Sequence, residues 1–263
     1  EDSRKMLLVL TVPLTFAPST STLLRPIFDA RIAQAIGKAK SSPGGVILSE
    51  EDEAALLAQS SFPIAPSELI AKCKEVIIAQ AGIQDAENYD ESIYAETFRF
   101  CAPFVGGPTP AAPDDPTPGL GKSEYLAALR GFDLLTAFPD MDNRYHRFYV
   151  DPFEPNRVWF QTRCSATHTG ELFGKPPTGR SLTLPPQAFS MVFNEQGQVE
   201  VFNVGYVIDR TVGNTGGLGG AFGFFWATEN ALPFPECQPF KGSIQLRSLG
   251  LLQKLQKLLP SGA

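Results

Sequence analysis

Histidine is the side chain best suited to move protons near neutral pH, and the sequence contains two histidines. His146 belongs to the polar run Asn143-Arg144-Tyr145-His146-Arg147, which is typical of a solvent-exposed face. His168 lies within residues 167–180, a run rich in glycine and proline. Two roles are open for His168: catalysis or ligand contact, and a structural role in which the ring binds backbone groups of a tight loop. Its place inside the loop favours the structural role.

Aromatic side chains that carry a polar atom form a second group of candidates. Tyr94, Tyr125 and Tyr206 can line a pocket and donate hydrogen bonds, and Trp159 is a further pocket candidate. Packing in the core with a satisfied hydroxyl group is the alternative for each tyrosine.

The strands that position these residues surround the run 167–180. Residues 157–167 and 181–193 have the composition of strands, and a third stretch of this kind covers residues 199–209. Within the run, three glycines permit positive φ, whereas Pro176-Pro177 fixes φ, so a stiff hairpin loop is predicted. Three consecutive antiparallel strands predict one strongly bent sheet.

Apolar residues at helical spacing predict the helices. These span residues 25–40, 67–82, 90–97, 122–138 and 244–259. In the second of them, Ser67 is a suitable N-cap and the apolar face comprises Leu69, Ile70, Cys73, Val76 and Ile77. Residues 98–105 are predicted to be extended, and residues 106–121 form a loop rich in proline and glycine.

Together these features resemble the SnoaL-like polyketide cyclases, a branch of the nuclear transport factor two-like superfamily. Residues 167–180 match the strand-turn-strand signature, and shorter matches occur at Phe138-Pro139-Asp140, Gly197-Gln198-Val199 and residues 249–255. The resemblance covers about residues 67–259. It implies an α+β fold, with a cone-shaped, curved antiparallel sheet wrapped by helices around a mostly apolar pocket.

The resemblance also implies a role for Asp209. In the cyclases an aspartate at the inner end of the last long strand acts as acid and base, and Asp209 best matches that position. A carboxylate deep in an apolar cone has its pKa raised by desolvation, which suits proton abstraction from carbon. The alternative is a loop cap or an ion pair with Arg210, the next residue.

Residues 211–248 depart from the family pattern, because the cyclases pass almost directly from that aspartate to the tail. This insertion is rich in glycine, but its spacing fits neither the dinucleotide-binding motif nor the P-loop. Its aromatic residues either plug the cone or form a surface that a partner covers; they are Phe222, Phe224, Phe225 and Trp226. We therefore expect three segments: an N-terminal arm (1–66), the cone domain (67–210), and the insertion with a C-terminal helix (211–263).

Composition limits the class of protein. The 263 residues are 43% hydrophobic and 19% charged, with a net charge of −6 and a pI near 5.1, so nucleic acid is excluded as a partner. The apolar stretch 6–16 is too short and too interrupted by proline to span a membrane. Four scattered cysteines and two histidines make a metal site improbable, and we expect no cofactor. Free, buried cysteines are expected rather than disulfides.

Two functions from different classes follow. The first is a non-catalytic assembly subunit whose arm, insertion and C-terminal helix bind other protein subunits, such as a membrane pigment-protein complex. The second is a cyclase or isomerase that acts on a small apolar carbonyl compound, with Asp209 as acid and base and His168 or Tyr206 orienting the substrate. Homodimerisation is compatible with either function.

A location is suggested by three stretches of the sequence. Residues 205–210, 213–223 and 232–236 resemble a subgroup of these proteins from photosynthetic algae. Because the sequence begins with Glu1 rather than methionine, a removed transit peptide is compatible with it. We therefore expect a plastid location.

Overall fold

The structure is a computed structural model that describes residues 40–42, 45–79, 90–103, 105, 119–230, 233, 237–240, 244 and 248. The chain divides into two compact units, Glu1–Ser60 and Ser61–Ala263. Two predicted helices, 25–40 and 244–259, lie outside the described residues apart from single positions, as do most of the loop 106–121 and residues 249–255.

The described part of the first unit is a strand pair followed by a helix. Strands β1 (Lys40–Ser42) and β2 (Gly45–Ile47) pair in antiparallel fashion, and helix α1 spans Glu50–Ala58. Ser49 begins α1 with a reciprocal capping box: its hydroxyl accepts from the Asp52 backbone, and the Asp52 carboxylate accepts from the Ser49 backbone. Four acidic residues in the first turn complement the positive end of the helix dipole.

The second unit combines helices with strands. Its helices are α2 (Pro66–Ala79), α3 (Lys122–Gly131), α4 (Leu134–Ala137) and α5 (Gly220–Ala227). Its strands are β3 (Tyr94–Cys101), β4 (Leu120–Gly121), β5 (His146–Val150), β6 (Arg157–Thr162), β7 (Ser165–Thr167), β8 (Ser181–Thr183), β9 (Gln187–Phe193) and β10 (Val199–Val207).

Six of these strands form one curved sheet in the order β4-β3-β10-β9-β6-β5. The predicted α+β class with a bent sheet is confirmed, but the prediction that the sheet is antiparallel throughout is wrong at one pair, since β3 and β10 run parallel. A bulge at Gly205, where φ is +77°, shifts the register of β10 against β9. Such a bulge bends its strand, and glycine meets the positive φ without strain.

Two predicted helices differ from the structure. The helix predicted for residues 90–97 is wrong, because Asp90 caps a single 3-10 turn at Glu91–Ile93 and β3 begins at Tyr94. Tyr94 and Phe98 are both buried, and their spacing of four suits a helix and a strand alike. The helix predicted for residues 122–138 is divided, because Asp133 accepts the Thr136 backbone N–H and begins α4 separately.

The predicted apolar face of α2 is confirmed and covers one end of the sheet. Leu69, Cys73, Val76 and Ile77 are buried, and the Cys73 Sγ atom lies 3.7 Å from Met191 Sδ on β9. Side chains alternate between the faces of a strand, so Met191 shares its face with Gln187 and Phe189 nearer the start of β9. Helix α2 therefore covers one end of this sheet face, and the other end, near the start of β9, borders a cavity.

The hairpin β7–β8 and the loop between its strands pack into a separate part of the core. The buried cluster there joins α4, the hairpin and α5; it comprises Leu134, Ala137, Phe138, Cys164, Ala166, Leu172, Leu182, Leu184, Phe224 and Ala227. At Gly170 the loop runs so close to α4 that a Cβ atom would overlap the Thr136 carbonyl oxygen. The backbone N–H groups of Thr169 and Gly170 both donate to the Ala137 carbonyl, so the loop closes the end of α4.

Candidate functional site

A cavity of about 1010 Å³ lies between the free end of this sheet face, α3 and α5. Its wall is mostly apolar, and the aromatic part comprises Phe100, Tyr125, Phe132, Tyr145, Phe173, Phe189, Phe202, Tyr206, Phe222, Phe224, Phe225 and Phe240. This volume is at the upper end of the range for small-molecule sites, which are concave, mostly apolar and carry a few polar groups. The arrangement suits a ligand built of rings.

The cavity meets solvent where its lining residues are exposed. Tyr206 is 45% exposed, Phe240 is 59% exposed, and the Arg210 guanidinium lies 5.2 Å from the centre of the Phe240 ring. All three residues line the cavity. The mouth thus combines aromatic rings with a cation, whereas the interior is apolar.

One polar pair on the wall consists of Asn143 and Tyr145. The Asn143 amide donates to the Tyr145 hydroxyl oxygen at 3.0 Å, and both residues line the cavity. Burial raises the pKa of Tyr145 well above its usual range, and it also raises the pKa of Tyr206. Both phenols therefore keep their protons at neutral pH and can serve as hydrogen-bond donors.

A third polar group is Gln187, the first residue of β9, which is only 1% exposed and lines the cavity. Its Oε1 atom accepts the backbone N–H of Gly220 at 2.6 Å. Gly220 is the first residue of α5, so this bond fixes the start of the inserted helix against the sheet. Gly219 allows the approach, because a Cβ atom there would lie 2.6 Å from Val207 Cγ2 and 2.9 Å from Gln187 Oε1.

The structure separates the four predicted pocket residues. Tyr125 and Tyr206 line the cavity. Tyr94 does not; it is buried behind the wall, with its ring centre 4.6 Å from that of Phe98. Trp159 is not a lining residue either, because it pairs with Ser190 on the other face of the sheet and its indole N–H donates to Asp151 at 2.8 Å.

Asp209 occupies an exposed turn and does not belong to the cavity wall. Its Oδ1 atom accepts the Thr211 hydroxyl at 2.6 Å and the Thr211 backbone N–H at 2.8 Å. These bonds lower the pKa of Asp209, so the expectation of a pKa raised by desolvation is wrong. No ion pair joins Asp209 to Arg210 among the described residues, and the carboxylate acts as a loop cap. Its catalytic role stays a prediction without support from this geometry.

His168 is fully buried and does not line the cavity. Its Nδ1 atom accepts the backbone N–H of Thr178 at 3.2 Å, and its ring centre lies 5.1 Å from that of Phe138. Burial lowers its pKa. This geometry fits the structural role, in which the His168 ring stabilises the loop by a hydrogen bond to a backbone N–H group. His146 is half-buried, and its Nδ1 atom lies 2.7 Å from the Arg144 carbonyl oxygen.

Three of the four candidate aromatic residues of the insertion face the cavity. Phe222, Phe224 and Phe225 line the cavity, and Phe224 is 5% exposed. The Arg180 guanidinium covers Trp226, 4.6 Å from its ring centre, and donates to the Trp226 carbonyl at 3.1 Å. The alternative in which these residues plug the cone is not met, because Phe222, Phe224 and Phe225 form a wall of the cavity and leave it unfilled. The alternative in which a partner covers them stays a prediction.

The described residues form neither a metal site nor a reactive thiol. Among these residues, no three histidine, cysteine or acidic side chains are arranged so that they could hold a metal ion. The four cysteines form no disulfide, and burial raises the pKa of Cys73 and Cys164 to about 12, so both remain thiols at neutral pH. No described helix is long and apolar enough to cross a membrane.

Sequence reasoning missed Asn143, Tyr145 and Gln187. Gln187 carries a recognisable signal, because it is a lone amide between Pro185-Pro186 and the rest of β9, in which Ser190 is the only other polar residue. A polar side chain at an inward position of a strand needs a hydrogen-bond partner, so such a residue is a candidate for a structural or binding role. Asn143 and Tyr145 carry no such signal, since their stretch is polar throughout.

The sequence matches no protein-family model and no curated protein. Solved structures similar to the chain include AclR from Streptomyces galilaeus, at 16% identity and a TM-score of 0.43 over 74% of this chain and 97% of that one. A SnoaL-like polyketide cyclase from Jannaschia Sp. CCS1 is similar at 15% identity and a TM-score of 0.39, over 56% and 88% of the two chains. The Δ5-3-ketosteroid isomerase from Mycobacterium sp. is similar at 13% identity and a TM-score of 0.37, over 56% and 96%. At these values the activities of the three proteins do not transfer to this chain.

Proposed function

We propose that the chain binds an apolar, ring-containing small molecule in the cavity between β9, β10, α3 and α5. The observation that carries this proposal is the cavity itself: about 1010 Å³, with a wall of aromatic and aliphatic side chains and a few polar groups. Burying apolar rings against such a wall is favourable in proportion to the area removed from water.

The test uses N-phenyl-1-naphthylamine, a neutral probe whose fluorescence rises in apolar surroundings. Titration of the full chain should give saturable binding of one probe per chain with a dissociation constant in the micromolar range. Absence of saturable binding, with the protein folded by circular dichroism, would contradict the proposal. The probe carries no charge, so binding to surface cations does not imitate the expected result.

A ring-closing or isomerising reaction on a carbonyl compound is the second candidate. It rests on the resemblance of residues 167–180 and on the phenol of Tyr206, which can orient and polarise a carbonyl oxygen. No carboxylate or imidazole lines the cavity among the described residues, so a base for carbon acids would come from elsewhere. Exchange of deuterium from solvent into the α-carbon of a bound ketone would reveal such a reaction.

The assembly-subunit function and the plastid location are also proposals, and they do not depend on the cavity. Ile208 and Phe240, which are 51% and 59% exposed, offer apolar surface to a protein partner. Gentle isolation from the source followed by sizing and mass spectrometry tests both. Co-elution with a pigment-protein complex supports them, whereas a lone monomer or dimer that carries a small apolar molecule supports the cavity function.

A further inference from the structure

The side-chain amide of Gln187 is turned with its oxygen toward the protein. A backbone N–H needs an acceptor, so the atom 2.6 Å from the Gly220 nitrogen is the amide oxygen and not the amide nitrogen. Of the Gln187 atoms, the same oxygen lies nearest to the places where Cβ atoms of Gly205 and Gly220 would stand, at 3.8 Å and 4.0 Å. The amide nitrogen therefore lies on the opposite side of the group, and Gln187 lines the cavity.

Within the described part of the chain, the amide nitrogen of Gln187 has no hydrogen-bond partner. The residue is 99% buried, and its neighbours in the wall are largely apolar, among them Phe189, Leu184 and Val207. This nitrogen is not one of the side-chain atoms sealed in the core without a partner, so it can be reached from the cavity. A donor there that meets an acceptor on a ligand gives both affinity and selectivity. The unused donor thus points to an acceptor atom that enters with the ligand.

We propose that Gln187 is the residue that recognises an acceptor oxygen of the ligand. This inference rests on the proposed function, because it narrows the class of compound the cavity takes to apolar ring systems that carry an uncharged hydrogen-bond acceptor oxygen. The bond from Gly220 to Oε1 holds the amide in one orientation, so the donor is in place before the ligand arrives.

The position of Gln187 also connects recognition with the insertion. The bond partner Gly220 begins α5, and α5 contributes Phe222, Phe224 and Phe225 to the cavity wall. The same amide that reads the ligand oxygen therefore fixes the helix that encloses the ligand rings. Both the selection of the ligand and its enclosure by α5 therefore depend on the Gln187 side chain.

The test compares 9-fluorenone with fluorene, which share a ring skeleton and differ by the carbonyl oxygen. Both compounds compete with the naphthylamine probe, and the ratio of their dissociation constants is the measurement. For the wild-type chain we expect 9-fluorenone to bind roughly tenfold more tightly than fluorene. Gln187→Met keeps the length of the side chain but removes both the donor and the acceptor of the Gly220 N–H. Both compounds should therefore bind more weakly, and the ratio of their dissociation constants should fall to about one.

Gln161→Met is the matched control, because Gln161 lies on the neighbouring strand β6 and is not part of the cavity wall. It should keep the tenfold ratio. If Gln187→Met fails to fold, the infrared carbonyl stretch of 9-fluorenone bound to the wild-type chain decides, since a hydrogen bond lowers its frequency relative to a hydrocarbon solvent.

The outcomes separate the inference from the function on which it rests. Equal binding of both compounds by the wild-type chain, or an unshifted carbonyl stretch, overturns the role of Gln187 and leaves the cavity function standing. Binding of neither compound and of no probe overturns the cavity function and the inference together.

Discussion

The hydroxyl group of Thr178 donates a hydrogen bond to the carbonyl oxygen of Ala227 at 2.8 Å, across 49 positions of the sequence. Thr178 belongs to the hairpin loop, and Ala227 is the last residue of α5. Gln187 fixes the first residue of α5 in a similar way. Both ends of the inserted helix are therefore held by side chains of the sheet and its hairpin.

Replacing Thr178 tests the contact at the end of α5. Thr178→Val removes the bond to Ala227 and the acceptor for the Arg180 backbone N–H. We expect the free energy of unfolding to fall by about 1 to 2 kcal/mol in urea denaturation. Thr169→Val, at an exposed position in the same loop without a side-chain hydrogen bond among the described residues, should change it by less than about 0.5 kcal/mol. Equal effects of the two variants would show that the Ala227 contact contributes nothing.

Gly170 tests the close approach of the loop to α4. Gly170→Ala places a methyl group on the Thr136 carbonyl oxygen, so loop and helix must separate. We expect a loss of about 1 to 3 kcal/mol in the free energy of unfolding. Gly131→Ala is the control, because nothing lies within 4 Å of its Cβ position and alanine suits the end of α3 better than glycine. A neutral Gly170→Ala would mean that the loop moves freely away from α4.

The burial of His168 predicts how stability depends on pH. Its folded pKa is lowered, so the neutral ring is favoured in the fold and the unfolded chain takes up the proton first. The contribution is complete above the unfolded pKa, about 6.5, and declines as the pH falls below that value toward the folded pKa. His168→Asn keeps an acceptor and cannot titrate, so the free energy of unfolding should change less between pH 7 and pH 5 than in the wild type. Identical slopes in urea denaturation would contradict this.

Replacing Asp209 distinguishes a role as loop cap from a role as catalytic base. Asp209→Asn retains an oxygen for the Thr211 N–H and hydroxyl groups, and the side chain lies outside the cavity wall. We expect the dissociation constant of the naphthylamine probe to stay within about twofold of the wild-type value. If a carbonyl substrate is found, loss of its turnover in Asp209→Asn would restore the cyclase-like role that the sequence resemblance implies.

Filling the cavity tests the proposed function directly. Leu129 on α3 and Val204 on β10 both line the cavity, and the double variant Leu129→Trp/Val204→Trp places two large rings inside it. Probe binding should weaken at least about tenfold because the space is occupied. Ala127→Trp, an exposed position on α3 that is not part of the wall, should bind the probe like the wild type. Unchanged binding by the double variant would place the probe elsewhere.

The sequence predicts the local structure better than the site. Glycine and proline between two apolar stretches predicted the hairpin, and apolar spacing predicted the buried face of α2. Asp209 carried a local signal for its turn, since a hydroxyl residue two positions later is a common partner of an aspartate. The resemblance directed attention to catalysis at that position instead.

The cavity could not be predicted because its wall combines distant segments. Phe100, Gln187 and Phe225 come from β3, β9 and α5, and Tyr145 directly precedes β5. Which side chains face inward depends on register and on the bulge at Gly205. Tyr94 and Tyr125 look alike in the sequence, yet one lies behind the wall and the other lines it. Tyr94 begins β3 and Tyr125 lies on α3, so only the packing of the helix against the sheet separates them.

A cavity assembled from residues 100 to 240 exists only in the fully folded chain. Its ligand therefore has no affinity for the unfolded chain, and saturation shifts the folding equilibrium by mass action. At a ligand concentration one hundred times the dissociation constant the gain is about 2.7 kcal/mol. Because the unfolded fraction is the one that proteases degrade, a larger supply of the small molecule would raise the steady-state amount of this protein in the cell.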